Sequence, residues 1–338
     1  MIRFLRTTLS PDCYHGHGKQ PPFFEGWYYK LVDASEQYRL AVIPGIFVSE
    51  DPEKHHAFVQ VLDGQTGEVS YQRYPPGEFW AAKGELDLRV GPNRFRAESI
   101  ELDIKSSGLT LRGDLRFRDT KPWPVTLISP GIMGWYAWVP SMECYHGVVS
   151  LDHAIEGSLS INGQRVGFSG GRGYTEKDWG KSFPAAWVWL QTNHFGEPGI
   201  SLTASVAIIP WRRRSFPGFF IGFWHGGILH RFATYTGAKI EKLDITDDKL
   251  CWLVSDKRRR LEMQVARTGG GLLQAPTTVD MGRRIAESLS AEVAVRLYSL
   301  EGAEANLLYQ GRGRHAGLET VGDLARLRAM WASEIGGT

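Results

Sequence analysis

Cysteine is scarce in this chain of 338 residues, and neither sign of charge is in excess. The three cysteines, Cys13, Cys144 and Cys251, are far apart, odd in number and without a CxxC spacing, which argues against a disulfide framework or a thiolate zinc site. The 39 basic and 37 acidic side chains give a net charge of only +2, too balanced for the electrostatic footprint of a nucleic-acid-binding protein. We therefore expect a reducing compartment and no nucleic-acid partner.

Sequence signals of several other protein classes are missing as well. The N-terminal MIRFLRTTLSPD has no apolar run of the length that a signal peptide or a membrane span requires, so we expect a cytoplasmic protein. The GFSGG at residues 167–171 is not followed by the helical pattern of a GxSxG elbow, and a P-loop and a GxGxxG between strand and helix are absent, which removes the usual support for serine hydrolase and nucleotide functions. Cys13, His15 and His17 share a face if extended, but no fourth ligand follows at a recognised spacing. We predict neither a metal nor another cofactor.

Apolar residues at helical spacing are missing until the last stretch, where Leu324, Leu327 and Trp331 predict a short C-terminal helix. The rest of the chain consists of short alternating or apolar runs bounded by Gly, Pro, Asn or Asp. Such runs are typical of antiparallel sheets closed into a sandwich or a barrel. The length favours two domains over one. We therefore expect an all-β protein with domains at residues 1–172 and 173–338.

Aromatic residues, in contrast, are abundant. The 12 Trp, 16 Phe and 12 Tyr favour pleated surfaces and apolar cavities. The proline- and tryptophan-rich stretch at residues 121–146 predicts an irregular loop over a cavity mouth. A further stretch carries three arginines, residues 212–214, between Trp211 and Phe216. This tip is either a solvated turn or a contact with an anionic membrane surface, and the second interpretation predicts peripheral membrane contact.

The stretch GYTEKDWG concentrates side chains suited to acid catalysis. Side chains alternate in an extended strand, which puts Tyr174, Glu176 and Asp178 on one face and puts Lys177 and Trp179 on the other. Two carboxylates spaced about 7 Å apart along a strand disfavour joint ionisation in a semi-buried site, so one of them can keep its proton as a general acid. The alternative is a hairpin with solvated acidic and basic side chains and a packed tryptophan.

Other acids and histidines are candidates to complete such a site. Glu25 shares a strand face with Trp27 and Tyr29, so it is either an edge residue or a desolvated acid with a raised pKa. His146 and His153 flank another predicted strand and are candidate proton carriers, because the usual pKa of histidine is about 6.5. Packed, hydrogen-bonded histidines are the alternative.

FFEGWYYK at residues 23–30 and GYTEKDWGKSFPAAWVWLQTN at residues 173–193 resemble the tocopherol cyclase family. An FFEGWY opening and a Y-x-EK-x-WG-x-x-FP-x-x-W-x-W-x-Q-x-N segment recur in that family. A more distant similarity extends to carotenoid hydratase-like proteins with paired lipocalin-like barrels. The resemblance implies two lipocalin-like antiparallel β-barrel domains. It also implies a cofactor-independent reaction on a hydrophobic small molecule: a prenylated hydroquinone is protonated at a side-chain double bond, and its ring oxygen closes a chromanol.

The resemblance also implies which residues form the site. It favours Glu25 and Asp178 as acids that converge on one cavity, with Glu176 and His146 as the next candidates. The family often carries Asn at the position of Asp178, which would move Glu25 or Glu176 ahead. The residues expected to contact the substrate are Trp27, Tyr29, Tyr174, Lys177, Trp179, Trp187, Trp189, Gln191 and Asn193.

Aromatic walls suit this chemistry, because a ring face stabilises a desolvated cation by about 2 kcal/mol. We therefore expect Trp27 and Trp179 to wall the cavity that Glu25 and Asp178 share. Two alternatives to a cyclase remain open. A ring-lined lipocalin-like cavity can hold a terpenoid without transforming it, and a hydratase of an isoprenoid double bond would use the same proton addition.

Overall fold

Antiparallel strands make up nearly all regular structure in the computed structural model, which describes residues 2–301 and 304–335. The predicted all-β class and the predicted C-terminal helix, α2 (Leu324–Ile335), are confirmed. The sequence pattern does not predict a short N-terminal helix, α1 (Ile2–Thr8), because its 7 residues are too few to display a periodicity. Among the described residues, no helix is both long and apolar enough to cross a membrane. Single 3-10 turns lie at Pro52–Lys54, Pro76–Glu78, Gly134–Trp138 and Thr234–Thr236.

The chain divides into two compact units. The first comprises Met1–Phe183 and Gly271–Ile285, and the second comprises Pro184–Gly270 and Ala286–Thr338. The predicted boundary between residues 172 and 173 falls inside β12 (Arg172–Gly180), a strand of the first unit. Because β12 is hydrogen-bonded to a strand on either side, the chain continues in the first unit through this whole strand.

The first unit is built on one antiparallel sheet. Besides β12, its strands are β1 (Phe23–Val32), β2 (Arg39–Val48), β3 (His56–Asp63), β4 (Val69–Tyr74), β5 (Phe79–Ala81), β6 (Asp87–Val90), β7 (Asn93–Arg96), β8 (Ser99–Ser106), β9 (Leu109–Arg118), β10 (Cys144–Ile161) and β11 (Gln164–Gly167). They follow the order β4-β3-β2-β1-β12-β10-β9-β8-β7-β6-β5, with β11 paired to β10. The strands β1, β12 and β10 are therefore neighbours at the middle of the sheet.

Side-chain contacts show that this sheet curls back on itself. Ser70 of β4 lies 2.6 Å from Ser106 of β8, hydroxyl to hydroxyl, and the Asn93 amide of β7 donates to the Tyr74 hydroxyl at 3.1 Å. Strands that are far apart in the sheet order thus meet. The enclosed apolar core contains Trp27, Tyr29 and Phe95, among other residues.

The second unit is built on another antiparallel sheet. The strands that follow β12 are β13 (Ala186–Thr192), β14 (Ser201–Trp211), β15 (Arg214–His225), β16 (Ile228–Ala233), β17 (Lys239–Ile245), β18 (Lys249–Ser255), β19 (Arg259–Ala266), β20 (Gly271–Ala275), β21 (Arg283–Ser299) and β22 (Asn306–Gly322). The order is β16-β15-β14-β13-β22-β21-β19-β18-β17, and β20 groups with the first unit. Leu190, Phe223 and Trp252 lie in its core.

The arginine-rich tip is a β-hairpin that joins β14 to β15. Trp211 pairs with Arg214, and Arg212 takes a φ of 54°, as a two-residue turn requires. The arginines are exposed, but Trp211 and Phe216 are half-buried and Phe219 is buried. The tip therefore offers charge to a partner without fully exposed rings beside it.

Candidate functional site

The strands β1 and β12 bring the two sequence motifs side by side. In their antiparallel register, Glu25 lies opposite Trp179 and Trp27 lies opposite Lys177. Residues directly opposite each other in such a pair share a face of the sheet, and Trp27 and Trp179 both belong to the core of the first unit. Glu25 and Lys177 therefore lie on the interior face of this sheet.

Glu25 and Lys177 form a fully buried ion pair. The Lys177 ammonium donates to Oε1 of Glu25 and to the backbone carbonyl of Cys13, which is 2.6 Å away. It also lies 4.6 Å from the ring centre of Trp27 and 4.7 Å from that of Trp179, where each ring face attracts a cation. These partners meet the requirement that a buried charge be paired and hydrogen-bonded.

His15 completes this interior cluster from the N-terminal segment. Its backbone N–H lies 3.1 and 2.9 Å from the two oxygens of Glu25, and its ring stacks on Trp179 with centroids 4.1 Å apart. Nε2 is 3.1 Å from the carbonyl oxygen of Thr7, and because a carbonyl only accepts, Nε2 carries the proton. Burial lowers the pKa of His15, and in the neutral ring Nδ1 accepts from Lys177 at 3.2 Å.

The pKa of Glu25 lies below its usual range. Burial raises this pKa, but the Lys177 ammonium and the contact with His15 together lower it by more. The prediction that burial among rings raises the pKa of Glu25 is therefore wrong. The sequence does not reveal that Lys177 lies against this carboxylate. As an ionised carboxylate, Glu25 has no proton to donate at neutral pH.

Asp178 lies on the other face of β12. Its partner on β1 is Gly26, whereas the partner of Glu25 is Trp179. The prediction that Glu25 and Asp178 share one cavity is therefore wrong. The physical reason is that the pairing of β1 with β12 runs without a register shift, so the strand has no bulge that would turn both carboxylates to one side.

A second cluster occupies the face that carries Asp178. His146 of β10 lies opposite Asp178, with Nδ1 2.9 Å from Oδ1 of that carboxylate. Nε2 is 3.2 Å from Oε2 of Glu176. The Tyr174 hydroxyl donates to the same Glu176 oxygen. The alternation predicted for β12 therefore places Tyr174, Glu176 and Asp178 together, and strand pairing adds His146.

The two carboxylates keep His146 protonated. Burial lowers the pKa of His146, but Glu176 and Asp178 raise it more, to about 10. At neutral pH the cluster therefore holds an imidazolium between two carboxylates. This is the buried acidic proton that the sequence leads us to expect, but it is carried by histidine rather than by a carboxyl group.

The same three side chains have the spacing of a metal site. One ligand atom from each of His146, Glu176 and Asp178 lies within 4.8 Å of the others, and a nitrogen with two carboxylate oxygens is a donor set that divalent metals accept. A metal would require a neutral imidazole, whereas the carboxylates here stabilise the imidazolium. Metal binding and the imidazolium are therefore competing states of one cluster.

A small cavity of about 80 Å³ adjoins both clusters in the first unit. Its walls include His15 and Trp179 from the interior cluster and His146 from the second cluster. The Tyr145 ring stacks on Trp179 with centroids 5.4 Å apart. The irregular segment at residues 121–143 contributes part of the lining, in line with the predicted loop over a cavity mouth. The remaining lining residues are Phe4, Thr8, Pro11, Lys19, Pro130, Ala137 and Pro140.

The other predicted substrate contacts lie elsewhere. Tyr29 is inside the first sheet, where its hydroxyl donates to the carbonyl of Arg96 at 3.1 Å. Trp187, Trp189, Gln191 and Asn193 belong to the second unit, on or directly after β13. Strand alternation puts Trp187, Trp189 and Gln191 on one face, and all three are buried. The prediction that these residues contact a substrate stays a prediction.

Sequence reasoning missed two buried carboxylates of the second unit, Glu287 and Glu319. They lie opposite each other on β21 and β22, Trp189 lies opposite Glu319, and the Trp187 indole N–H donates to Glu319. Each glutamate sits in an ordinary alternating strand, so the local sequence has no signal that marks it. Only the pairing of the strands brings the two glutamates together.

Comparison with protein families gives a match over most of the chain. The family model described as "Tocopherol cyclase-like" matches residues 117–322, which include His146, Glu176 and Asp178. A "Probable tocopherol cyclase, chloroplastic" of Oryza sativa subsp. japonica is 24% identical over 286 residues, which cover 70% of this chain and 60% of that protein. The "Tocopherol cyclase, chloroplastic" of Zea mays is 24% identical over 331 residues, covering 81% and 68%. The chain thus spans less than two thirds of the rice relative.

Comparison with solved structures concerns the fold. The crystal structure of CghA with Sch210972 superposes with a TM-score of 0.55 at 11% identity, covering 90% of this chain and 89% of that one. Kievitone hydratase from Nectria haematococca has a TM-score of 0.50 at 12% identity, covering 92% and 94%. At such identities the likeness shows the fold alone, and it confirms the predicted class of lipocalin-like antiparallel β domains with a short C-terminal helix.

Proposed function

Because the chain belongs to the tocopherol cyclase-like family, we propose that it is an enzyme of the cyclase or hydratase type. More specifically, we propose that it closes a prenylated hydroquinone to a chromanol. The match spans only 60% of the rice relative, so support for the reaction comes from the residues of this chain. A carrier protein, the alternative, has no use for a buried acidic proton beside its cavity.

One observation carries the proposal: the imidazolium of His146 is held between Glu176 and Asp178 and also lines the 80 Å³ cavity. An acid that protonates a double bond must be buried, protonated and within reach of the substrate. His146 satisfies the first two conditions through its carboxylate partners, and its position in the cavity wall supports the third. Glu25 fails the second, because it is ionised and paired.

The reaction we propose has two bond-forming events. His146 transfers its proton to one carbon of the prenyl double bond, and the phenol oxygen bonds to the other carbon. An imidazolium whose pKa is about 10 is far too weak an acid to generate a free tertiary cation. We therefore propose that the new C–H and C–O bonds form together, so that positive charge on carbon stays small.

The proton balance closes within the same cluster. As the phenol oxygen bonds to carbon, its proton passes to Glu176, whose Oε2 lies 3.2 Å from Nε2 of His146. Transfer from Glu176 to His146 restores the imidazolium. The substrate gains one proton and loses one, so the product is an isomer. Tyr174 donates a hydrogen bond to Glu176 and so orients the accepting carboxylate.

Aromatic and acidic neighbours stabilise the charge that does develop. Trp179 and Tyr145 present stacked rings in the cavity wall, and a ring face favours positive charge in a dry site by about 0.5–2 kcal/mol. Glu176 and Asp178 add negative charge, which is more effective away from water.

The test is incubation with a prenylated hydroquinone followed by mass and absorbance analysis of the product. We expect a chromanol with unchanged mass, and we expect His146→Gln to lower kcat by about 100-fold or more, as for loss of a general acid. His153→Gln, a buried histidine on the same strand but not in the cavity lining, is the matched control and should retain turnover.

Three results would contradict the proposal in different ways. A product heavier by one water would identify a hydratase. Binding without any product would identify a carrier. Full turnover by His146→Gln, with chromanol formed, would leave the reaction standing but would place the acid at another residue.

A further inference from the structure

An exposed apolar surface surrounds the outer side of the small cavity. Leu127 and Ile128 are 71% and 84% exposed, at the tip of a turn in the irregular segment. Large apolar side chains this exposed are unusual on a soluble surface when they occur as a group. We call this group the apolar rim: Phe4, Leu5, Val125, Leu127, Ile128 and Trp135.

Local hydrogen bonds hold the rim in place. A bridge between Val125 and Pro130 closes the turn, and the Trp138 indole N–H donates to the carbonyl of Leu127 at 2.8 Å. The Trp138 ring also contacts Phe4 edge-on, with centroids 6.0 Å apart, which joins the turn to α1. The exposure of Leu127 and Ile128 is thus a feature of a hydrogen-bonded turn.

The charged side chains on helix α1 of the rim are cations. Residues 122–142 contain no charged side chain. Helix α1 has no acidic residue in its first turn, and Arg3 and Arg6 are both exposed. A further exposed cation, Lys19, lines the cavity. Exposed apolar and aromatic side chains flanked by cations fit the interface of an anionic bilayer, where rings and aliphatic groups enter the headgroup layer and cations pair with lipid phosphates.

The rim is continuous with the cavity wall. Phe4 belongs to both, and Pro130 and Ala137 of the same irregular segment line the cavity beside His146. The 80 Å³ cavity is smaller than the engineered cavities of about 150 Å³ that hold benzene. An isoprenoid that reaches His146 would therefore enter this cavity only in part and would have its chain outside, against the rim.

We infer that the apolar rim docks on an anionic lipid bilayer and that the cavity opens toward that bilayer. Docking of the rim does not depend on the proposed reaction. Only the passage of an isoprenoid into the cavity rests on the proposed function. The hairpin tip at residues 212–214 is the competing surface. It has three exposed cations, but its neighbouring rings are half-buried or buried, so it lacks the apolar part of an interfacial contact.

The experiment is flotation of the full chain, without substrate, on vesicles of phosphatidylcholine with and without phosphatidylglycerol. We expect binding to the anionic vesicles and weak binding to neutral ones. Leu127→Ser with Ile128→Ser should lower the partition coefficient by about tenfold or more, because two side chains no longer enter the bilayer. Arg3→Ser with Arg6→Ser should lower it several-fold on anionic vesicles only.

The matched control carries Arg212→Ser, Arg213→Ser and Arg214→Ser in the hairpin tip at residues 212–214. This variant should bind anionic vesicles as the wild type does. Wild-type binding by the Leu127→Ser, Ile128→Ser variant would overturn the inference, as would loss of binding in the hairpin control alone. A wild type that dimerises without binding vesicles, together with a monomeric rim variant, would make the rim a self-association surface and would also overturn it. Because no substrate is present, none of these outcomes depends on the proposed reaction.

Discussion

His15 lies flat against Trp179, with ring centroids 4.1 Å apart and planes inclined by only 10°. Both rings line the small cavity, and on its other side His15 contacts the buried pair of Glu25 and Lys177. The cavity wall is therefore built directly on the buried ion pair. Any change that moves the pair should move the wall, which gives Glu25 and Lys177 a positioning role without requiring either to transfer a proton.

The first prediction concerns the stability that this pair controls. Glu25→Gln leaves the Lys177 ammonium buried without its counter-charge, and removal of one partner of a buried pair typically costs about 3–5 kcal/mol. Lys177→Met should cost a similar amount, because it strands the carboxylate. The measurement is the free energy of unfolding from urea titrations at neutral pH.

The double variant, Glu25→Gln with Lys177→Met, is the control for this prediction. Because it leaves no unpaired charge, it should be more stable than the sum of the two single losses implies, by about 1–3 kcal/mol. Strictly additive losses would mean that the two side chains do not interact as described. In each variant, turnover should fall in proportion to the loss of folded protein. We do not expect a variant that is as stable as the wild type but inactive.

Strand alternation was sufficient to predict half of the site. It grouped Tyr174, Glu176 and Asp178 correctly, because side chains in any extended strand alternate regardless of context. The partners across the sheet depend on register, and a one-residue shift would have put Glu25 opposite Asp178. Register is fixed by packing over the whole sheet, so a single sequence does not contain it in readable form.

The direction of the Glu25 pKa shift was unpredictable for a related reason. Neighbouring rings in the sequence predict desolvation, which raises the pKa of a carboxyl group. The groups that lower it, Lys177 and His15, are distant in sequence and approach only in the folded chain. Cys13, His15 and His17 were considered as metal ligands and set aside for want of a fourth ligand, and the sequence did not indicate that His15 is a hydrogen-bonding partner of Glu25.

The second prediction uses His153, which is buried against Phe117 with ring centroids 4.4 Å apart. Burial lowers its pKa to about 3, and its Nε2 has no hydrogen-bond partner within the described part of the chain. Above pH 6.5 the ring is neutral in both folded and unfolded chains. As the pH falls from about 6.5 toward 3, only the unfolded chain takes up the proton, so stability should fall by about 1.4 kcal/mol per pH unit.

His153→Gln removes this contribution. Carboxylates that titrate in the same range affect both proteins alike, so the informative quantity is the difference between the two curves of unfolding free energy against pH. We expect the wild-type curve to be steeper between pH 6.5 and the lowest pH at which the protein folds. Parallel curves would show that His153 is solvated or already protonated in the folded protein.

The third prediction concerns His146, for which stability should fall as the pH rises, the opposite of the effect of His153. Its pKa in the folded chain is about 10, above the value of about 6.5 for an unfolded histidine. Below pH 6.5 both states are protonated, and the stabilising contribution of the imidazolium is fully present. Between pH 6.5 and 10 the unfolded chain loses its proton while the folded chain keeps it, so stability should fall by about 1.4 kcal/mol per pH unit and become constant above pH 10.

Two carboxylate variants separate the contributions to this alkaline slope. In Asp178→Asn the amide oxygen can still accept the hydrogen bond from Nδ1, which is 2.9 Å from the carboxylate oxygen, but one negative charge is lost. The pKa of His146 should then decrease, while Glu176 keeps this pKa above 6.5. The slope should therefore end at a lower pH, and both the imidazolium and turnover should persist at neutral pH.

Glu176→Gln should shorten the slope further, because Glu176 is the larger electrostatic contributor to the raised pKa of His146. This variant also lacks the base that accepts the phenol proton. Histidine proton resonances followed by NMR across this pH range measure the shift directly. If Asp178→Asn loses turnover at neutral pH while His146 remains protonated, the carboxylate of Asp178 has a role beyond holding that proton.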